Sequence, residues 1–276
     1  MKILITGING FIAKTLANRL KGEHTIIGTT KDDSNNISDI LHNIQPDYIY
    51  HVGAEIYDND KMFESNILQT YNILEYCRAA NNLKKLIIIG SSSEYGKKNK
   101  PMSENDVLEP RTIYEGTKAA CSMLAQSYSN TYNIPTIIIR PFTVYGIGEK
   151  PNKFLNILFR KLINGERTVS ISYGFHDYVY IDDFIDALLI ISKNNRTTFD
   201  IINIGTGIQT SNHDLVKCFE TVTGHMFDEY LHIESKKYDS DMWVCDTTKL
   251  QDYYTIKYSL EDGIKQMYNK YKADIP

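Results

Sequence analysis

The chain has 276 residues, 42% apolar and 23% charged, the make-up of an ordinary globular protein long enough to bury one large core, or a core plus a lobe. Acids outnumber bases 34 to 30 for a net charge of −4, so no basic field draws nucleic acid or acidic membrane, and no apolar run approaches the roughly 20 residues of a membrane helix. Cys77, Cys121, Cys218 and Cys245 lie too far apart in sequence to spell out a zinc site or a redox pair, and suit reduced structural thiols in the cytoplasm.

The first expected element is an apolar strand, Lys2–Thr6. It feeds the turn Gly7-Ile8-Asn9-Gly10, and a helix then begins Phe11-Ile12-Ala13. Gly7 can make the tight turn, and Gly10 has no Cβ to block a phosphate. Ala13 is small enough for the helix to lie close on the strand. A strand, a G-x-x-G-x-x-A turn and a helix, in that order, predict a dinucleotide pyrophosphate held on backbone N–H groups at a helix N-terminus. A strand this short, running into glycine, is not expected to serve as a secretory leader.

A second strand is expected over Thr25–Thr29. Only about 18 residues separate it from the next, Asp47–Val52, and they hold no clear strand, so a loop and a short helix are expected. Lys61–Asn82 sets Met62, Phe63, Ile67, Tyr71 and Leu74 at helical intervals. The strand Lys85–Gly90 ends in three hydroxyls, Ser91, Ser92 and Ser93. The helix Ile113–Tyr132, the strand Pro135–Arg140 and the helix Asn152–Asn164, stopped by Gly165, come next. After a looser stretch the strand Asp200–Ile204 completes the series. The strands are rich in Ile, Leu and Val with little alternation, as parallel strands covered on both faces are. Their alternation with helices predicts βαβ units and a doubly wound sheet. After residue 146 the chain is expected to leave the sheet and build a smaller lobe for a second ligand.

Tyr114 and Lys118 form a Y-x-x-x-K pair. The chain holds three more, Tyr57–Lys61, Tyr253–Lys257 and Tyr268–Lys272, each expected on a solvated helix face. Context separates the first pair from the others. It opens a helix, where i and i+4 share a face, and it follows a strand that ends in serines. A carbonyl receiving a hydride needs a proton and a hydrogen-bond donor on its oxygen. An ammonium group beside tyrosine brings the phenol's pKa of about 10 toward working pH.

Read in order, these stretches carry a resemblance: Thr6-Gly7-x-x-Gly10-Phe11-Ile12-Ala13, Pro46-Asp47-Tyr48-Ile49-Tyr50-His51, Asn66, Ser91-Ser92-Ser93-Glu94-Tyr95-Gly96, Tyr114-x-x-x-Lys118, Arg140-Pro141-Phe142-Thr143-Val144-Tyr145-Gly146, Asp177-Tyr178-Val179-Tyr180-Ile181-Asp182-Asp183 and Asn203-Ile204-Gly205-Thr206-Gly207. Over essentially its whole length the chain resembles an extended short-chain dehydrogenase/reductase of the nucleotide-sugar type, the NAD-dependent epimerase/dehydratase family. The resemblance implies an α/β fold, a Rossmann-type doubly wound parallel sheet with a smaller C-terminal substrate-binding lobe. The dinucleotide-binding domain would span 1–145 with returning segments about 175–205, and the lobe 146–174 and 206–276.

The resemblance also implies roles. Tyr114 is the expected acid/base and Lys118 its partner, with Ser91 as the catalytic hydroxyl and Ser92 as its rival. Gly7, Asn9, Gly10, Phe11, Ile12, Thr30, Lys31, Gly53, Ala54, Pro141 and Phe142, with Tyr114 and Lys118, are expected at the cofactor. Ser92, Ser93, Tyr114, Thr143, Phe154 and His176 are expected at a nucleotide-diphospho-sugar, and no metal is expected. His176 stands where the family often has Arg. Ser92 and Ser93 stand where its dehydratases carry an Asp-Glu pair, which disfavours dehydration; Glu94, one residue on, is expected to be exposed. NAD-preferring relatives end the second strand with an acid, and here Thr30 and Lys31 follow it. NADP is therefore expected, with NAD left open by Asp32 and Asp33. The expected reaction is NADPH-dependent reduction of the 4-keto group of a nucleotide-diphospho-6-deoxy sugar. The alternatives are a C4 epimerase with tightly held NAD, a 4,6-dehydratase, and a catalytically silent dinucleotide sensor. A homodimer is expected through the helices Lys61–Asn82 and Ile113–Tyr132, with Tyr76 and Tyr132 as spare apolar surface.

Overall fold

The computed structural model describes residues 1–194, 197–234 and 240–272, so part of the lobe expected over 206–276 lies outside the described residues. The chain divides into two compact units. The first takes Met1–Gly96, Glu104–Pro141 and Ala187–Asn203; the second takes Lys97–Ser103, Phe142–Asp186 and the chain from Ile204 onward.

In chain order the first unit opens with β1 (Lys2–Thr6), α1 (Phe11–Leu20) and β2 (Thr25–Thr29). A 3-10 turn over Lys31–Asn36, α2 (Ile37–Ile44) and β3 (Tyr48–His51) follow. One helical rod then comprises α3 (Asn59–Met62), a π-helical stretch Phe63–Leu68 and α4 (Gln69–Ala79). β4 (Lys85–Ile89), a 3-10 turn Ser92–Tyr95, α5 (Ile113–Tyr132) and β5 (Thr136–Pro141) complete the run. Next come β6 (Thr143–Tyr145), α6 (Phe154–Ile163), β7 (Thr168–Ser172), β8 (Phe175–His176), β9 (Tyr178–Tyr180), α7 (Ile181–Ser192) and β10 (Phe199–Ile204). The remaining elements are β11 (Thr210–Ser211), α8 (Asn212–Thr223), β12 (Glu229–Ile233), α9 (Thr248–Gln251) and α10 (Leu260–Tyr271).

Six strands make one sheet in the order β10-β5-β4-β3-β1-β2, and every pair from β2 to β5 is parallel. The linker after β2 holds no strand, as expected, so β3 lies directly beside β1. The order of connection reverses between β1 and β3, and ligands of such sheets bind beyond the carboxyl ends of the strands at that switch. Both sheet faces are covered. Leu4, Ile49, Leu86, Ile88 and Ile138 pack with Leu41, Ile73, Leu74 and Ala125 of the helices, while Ile3, Ile5, Ile87, Ile89, Ile137 and Ile139 are buried as well. Each such side chain contributes about 1.5–3 kcal/mol by leaving water.

Three expectations are corrected here. The helix expected over Lys61–Asn82 is not uniform, because the π-helical stretch interrupts it. Tyr76, expected as spare surface, is 5% exposed, with its ring edge-on to His42 in the layer over the sheet. Tyr253–Lys257 lies on no helix; it is a loop in which Lys257 and Tyr258 donate backbone N–H bonds to Asp183. The helix expected over Asn152–Asn164 is α6, and Gly165 closes it at φ +68.

In the second unit β6 pairs with β9, β7 with β12, and β8 with β11. Asp177 is fully buried and organises this unit, accepting from Thr206 N and Oγ1, Gly207 N and Cys245 N at 2.6–3.0 Å. Burial pushes the Glu149 carboxyl up to about 7. Among the described residues no helix is long and apolar enough to cross a membrane.

Candidate active site

The switch point is a backbone cradle. Gly7 has φ +66, and a Cβ there would lie 2.6 Å from Gly53 Cα, so the turn after β1 and the loop after β3 touch backbone to backbone. Thr6 Oγ1 ties them further by accepting from Val52 N and Gly53 N at 3.0 and 2.9 Å. α1 begins at Gly10 with no side-chain cap and no acidic residue in its first turn, while Ala13 is fully buried against the sheet. An uncapped helix N-terminus beside two glycines fits a pyrophosphate. Asn9 and Gly10 are exposed there, and Phe11, Ile12 and Gly53 are half-buried. Ala54 is exposed on the same loop as Gly53.

Beyond β2, Thr30 caps the 3-10 turn. Asp33 reaches back, and its Oδ2 accepts from Thr30 N at 2.7 Å and Thr30 Oγ1 at 3.0 Å. A carboxylate therefore sits at the carboxyl end of β2 although the sequence places Thr there. Lys31 is exposed beside it.

The serine loop after β4 is held from beneath by Glu94, which corrects the expectation that Glu94 is exposed: it is fully buried. Its Oε1 accepts from Ser91 N at 2.8 Å, and its Oε2 from Arg140 Nε at 2.9 Å and Ser122 Oγ at 2.7 Å. Arg140, 2% exposed, also donates to Tyr95 Oη, which donates to Asn203. Ser91 and Ser93 are half-buried with their hydroxyls 2.7 Å apart, whereas Ser92 is buried.

α5 starts at a reciprocal cap, Thr112 with Glu115. Tyr114 is half-buried in its first turn. One turn on, Lys118 is 6% exposed and donates to the carbonyl of Ile89, the last residue of β4. Burial holds the Lys118 ammonium below its ordinary pKa. The strand that leads into the serines thus holds the lysine of the Tyr114 pair.

A chain of hydrogen bonds lies behind. Thr6 Oγ1 receives two N–H groups and so donates to His51 Nδ1 at 2.9 Å; His51 Nε2 then donates to Thr70 Oγ1 at 2.9 Å, and Thr70 to Asn66 O at 2.7 Å. Burial, and secondarily the Lys118 charge, depress the His51 pKa to about 3, so the ring is neutral. Asn66 lies in the π-helical stretch. Its side chain clasps Glu55 N and Glu55 O of the loop after β3 and Thr117 Oγ1 of α5, at 2.7–3.0 Å.

Gly7, Gly10, Gly53, Thr30, the serines, Tyr114, Lys118 and Pro141 all belong to the first unit. Phe142, Thr143, Phe154 and His176 belong to the second unit, where Thr143 N donates to Asp177 O and the His176 ring stands 5.6 Å from that of Tyr178. Among the described residues no cluster of three or more His, Cys, Asp or Glu is placed to hold a metal ion. Sequence reasoning named Asp33 only as leaving NAD open and missed its bond to Thr30, and it missed Glu94 as the serine loop's anchor. Both are the fourth residue of an S/T-x-x-D/E box, a signal legible in the chain.

The family model described as "NAD dependent epimerase/dehydratase family" matches residues 3–205. Protein CapI of Staphylococcus aureus is 31% identical over 233 residues, covering 70% of each chain. A probable UDP-glucuronate 4-epimerase of Rhizobium meliloti is 30% identical over 285 residues, 81% of this chain and 83% of that one. The crystal structure of UDP-glucuronic acid 4-epimerase from Bacillus cereus, in complex with UDP-glucuronic acid and NAD, superposes with a TM-score of 0.88 at 26% identity over 99% of both chains.

Proposed function

Because the chain belongs to the NAD dependent epimerase/dehydratase family, we propose that it is an NAD-linked enzyme inverting a nucleotide sugar at C4. The observation that carries this reading is the Asp33 carboxylate seated on Thr30. An acid at that strand end accepts ribose hydroxyls and repels a 2′-phosphate. It supports NAD over the NADP expected from Thr30 and Lys31, and with NAD a reaction that returns its cofactor unchanged. The 4-keto reduction, which consumes NADPH, gives way to the epimerase alternative, in keeping with the relatives.

The α1 N-terminus, Gly7 and Gly53 would hold the cofactor. When bound, NAD supplies a reversible oxidation at the sugar's C4. Tyr114 would take the C4 hydroxyl proton as the carbonyl forms and return it to the inverted hydroxyl. Lys118 favours the phenolate. Ser91, fixed through Glu94, would donate to the carbonyl oxygen. Ser92 and Ser93 offer no acid/base pair for dehydration. In the second unit Thr143, Phe154 and His176 remain the proposed contacts to the nucleotide part of the substrate. A second copy is the proposed partner of the exposed apolar side chains Phe63, Leu68, Tyr71, Met123 and Tyr132. The four free cysteines support a reducing compartment such as the cytoplasm.

The test is incubation with NAD and UDP-glucose, UDP-glucuronic acid or dTDP-glucose, followed by proton NMR. A C4 epimer is expected, with no net change in reduced-nicotinamide absorbance. Stoichiometric NADPH oxidation by a 4-keto-6-deoxy nucleotide sugar, with no epimer from any substrate, would overturn the reading in favour of the reductase.

A further inference from the structure

β4 ends at Ile89, whose carbonyl receives the Lys118 ammonium, and Ser91 follows two residues on, beyond the carboxyl end of that strand. The serine turn is fixed through its backbone. Glu94 Oε1 accepts from Ser91 N at 2.8 Å and lies so close beneath that a Cβ on Gly90 would stand 2.5 Å from it. Glu94 N donates to Ser91 O, and Gly96 N to Ser93 O, both at 3.2 Å. From these held backbones the two half-buried hydroxyls, Ser91 and Ser93, meet at 2.7 Å. Ser91 Oγ already serves the turn as an acceptor, taking Ser93 N at 3.1 Å. The contact between the hydroxyls has two possible senses. If Ser91 donates, its single proton is spent inside the turn. If Ser93 donates, the Ser91 proton meets no other acceptor among the described residues and is left for a ligand.

We propose that Ser93 is a positioning residue: its hydroxyl donates to Ser91 Oγ and so leaves the Ser91 proton to the oxygen on C4 of the substrate. The assignment rests on the C4 reading above, in which that oxygen becomes a carbonyl and needs a donor. Only one sense of the contact leaves Ser91 able to supply it. A hydroxyl that accepts a hydrogen bond is also polarised toward giving its own proton. Ser93 thus acts on the reaction through Ser91, with no contact of its own to the reacting atoms.

The test is a double-mutant cycle on C4 epimerisation of UDP-glucose, UDP-glucuronic acid or dTDP-glucose, whichever the wild type inverts. The proteins are wild type, Ser91→Ala, Ser93→Ala, the pair, and Ser93→Thr. Ser93→Ala keeps the backbone N–H on Ser91 and removes the hydroxyl alone. It should lower kcat about 10-fold, the scale of one hydrogen bond, with KM within about twofold of wild type. Ser91→Ala should lower kcat by on the order of 10². The pair should match Ser91→Ala, because a residue that acts through Ser91 has nothing to lose once Ser91 is gone. Ser93→Thr, which restores a hydroxyl, should recover most of the rate. A pair slower than Ser91→Ala by a further factor of about 10 overturns the proposal, by giving Ser93 a contact of its own. An unchanged kcat in Ser93→Ala overturns it too, as does a rise in KM alone. If Ser93→Ala does not fold, Ser93→Cys, with its weak S–H donor, is read in its place. The C4 reading fails separately, if the wild type makes no epimer. The same cycle is then run on NADPH oxidation by a 4-keto-6-deoxy nucleotide sugar, where the same oxygen takes the proton, and absence of both activities overturns the Ser93 assignment as well.

Discussion

The Y-x-x-x-K pairs differ in what surrounds the lysine. Lys61 is ion-paired to Asp58 with its side chain 69% exposed, Lys257 is paired to Asp186 at 61%, and Lys118 is 6% exposed on a strand carbonyl. Only a buried ammonium acts on its tyrosine without screening by water. Tyr114→Phe is therefore expected to lower kcat by on the order of 10² or more while leaving NAD affinity intact, and Tyr253→Phe to be nearly silent. Equal behaviour of the two variants in steady-state kinetics would refute the assignment. Asp33→Asn keeps the hydrogen-bonding shape on Thr30 and removes the charge. It should raise NADP affinity relative to NAD by on the order of 10-fold in fluorescence titrations; an unchanged ratio would remove Asp33 from cofactor choice. Glu149 offers a pH test. Its folded pKa, about 7, stands above the ordinary 4.5, so across that window the folded state keeps a proton the unfolded state has lost. Its burial therefore costs more stability as pH rises. Glu149→Gln should raise Tm at about pH 8 and change it little at about pH 5, whereas an equal shift at both would show that Glu149 does not titrate as described.

At the scale of elements, the loops of the first unit's site are set by reciprocal caps: Thr30 with Asp33, Ser91 with Glu94, and Thr112 with Glu115. The middle cap also carries the buried pair with Arg140. Glu94→Gln leaves the Arg140 charge buried without its counter-ion, and about 3–5 kcal/mol of stability should be lost. Denaturant melts read this directly, and a loss under about 1 kcal/mol would contradict the pairing. The boxes were visible in the sequence as spacing, but spacing does not say which carboxylate meets a partner 46 residues away, as Glu94 meets Arg140. The strand–glycine–helix opening was legible because each step is local: apolar run, positive φ, uncapped N-terminus. The π-helical stretch was not, since Phe63–Leu68 shows ordinary helical spacing, and its geometry answers to Glu55, Thr117 and Cys121 far along the chain.

At the scale of the whole molecule, Phe63, Tyr71, Met123 and Tyr132 are 65%, 41%, 53% and 45% exposed on the helical rod and α5. So much uncovered apolar surface on adjacent elements suits a second copy. Light scattering at micromolar concentration should give about twice 31.7 kDa, and the double variant Tyr71→Glu, Met123→Glu should give one chain's mass. A wild-type mass of 31.7 kDa would refute the dimer. The π-helical stretch has a consequence for insertions and deletions. A helix advances about 100° per residue, so losing a single residue between Phe63 and Leu68 would turn everything after it by more than a quarter circle relative to Asn59–Met62. Asn66 could then keep its grip on Glu55 only if Tyr71 swung away from the face it shares with Tyr128. The extra residue works as a phase shifter, and a homologue one residue shorter in this stretch would have to give up either the clasped loop or this pairing face.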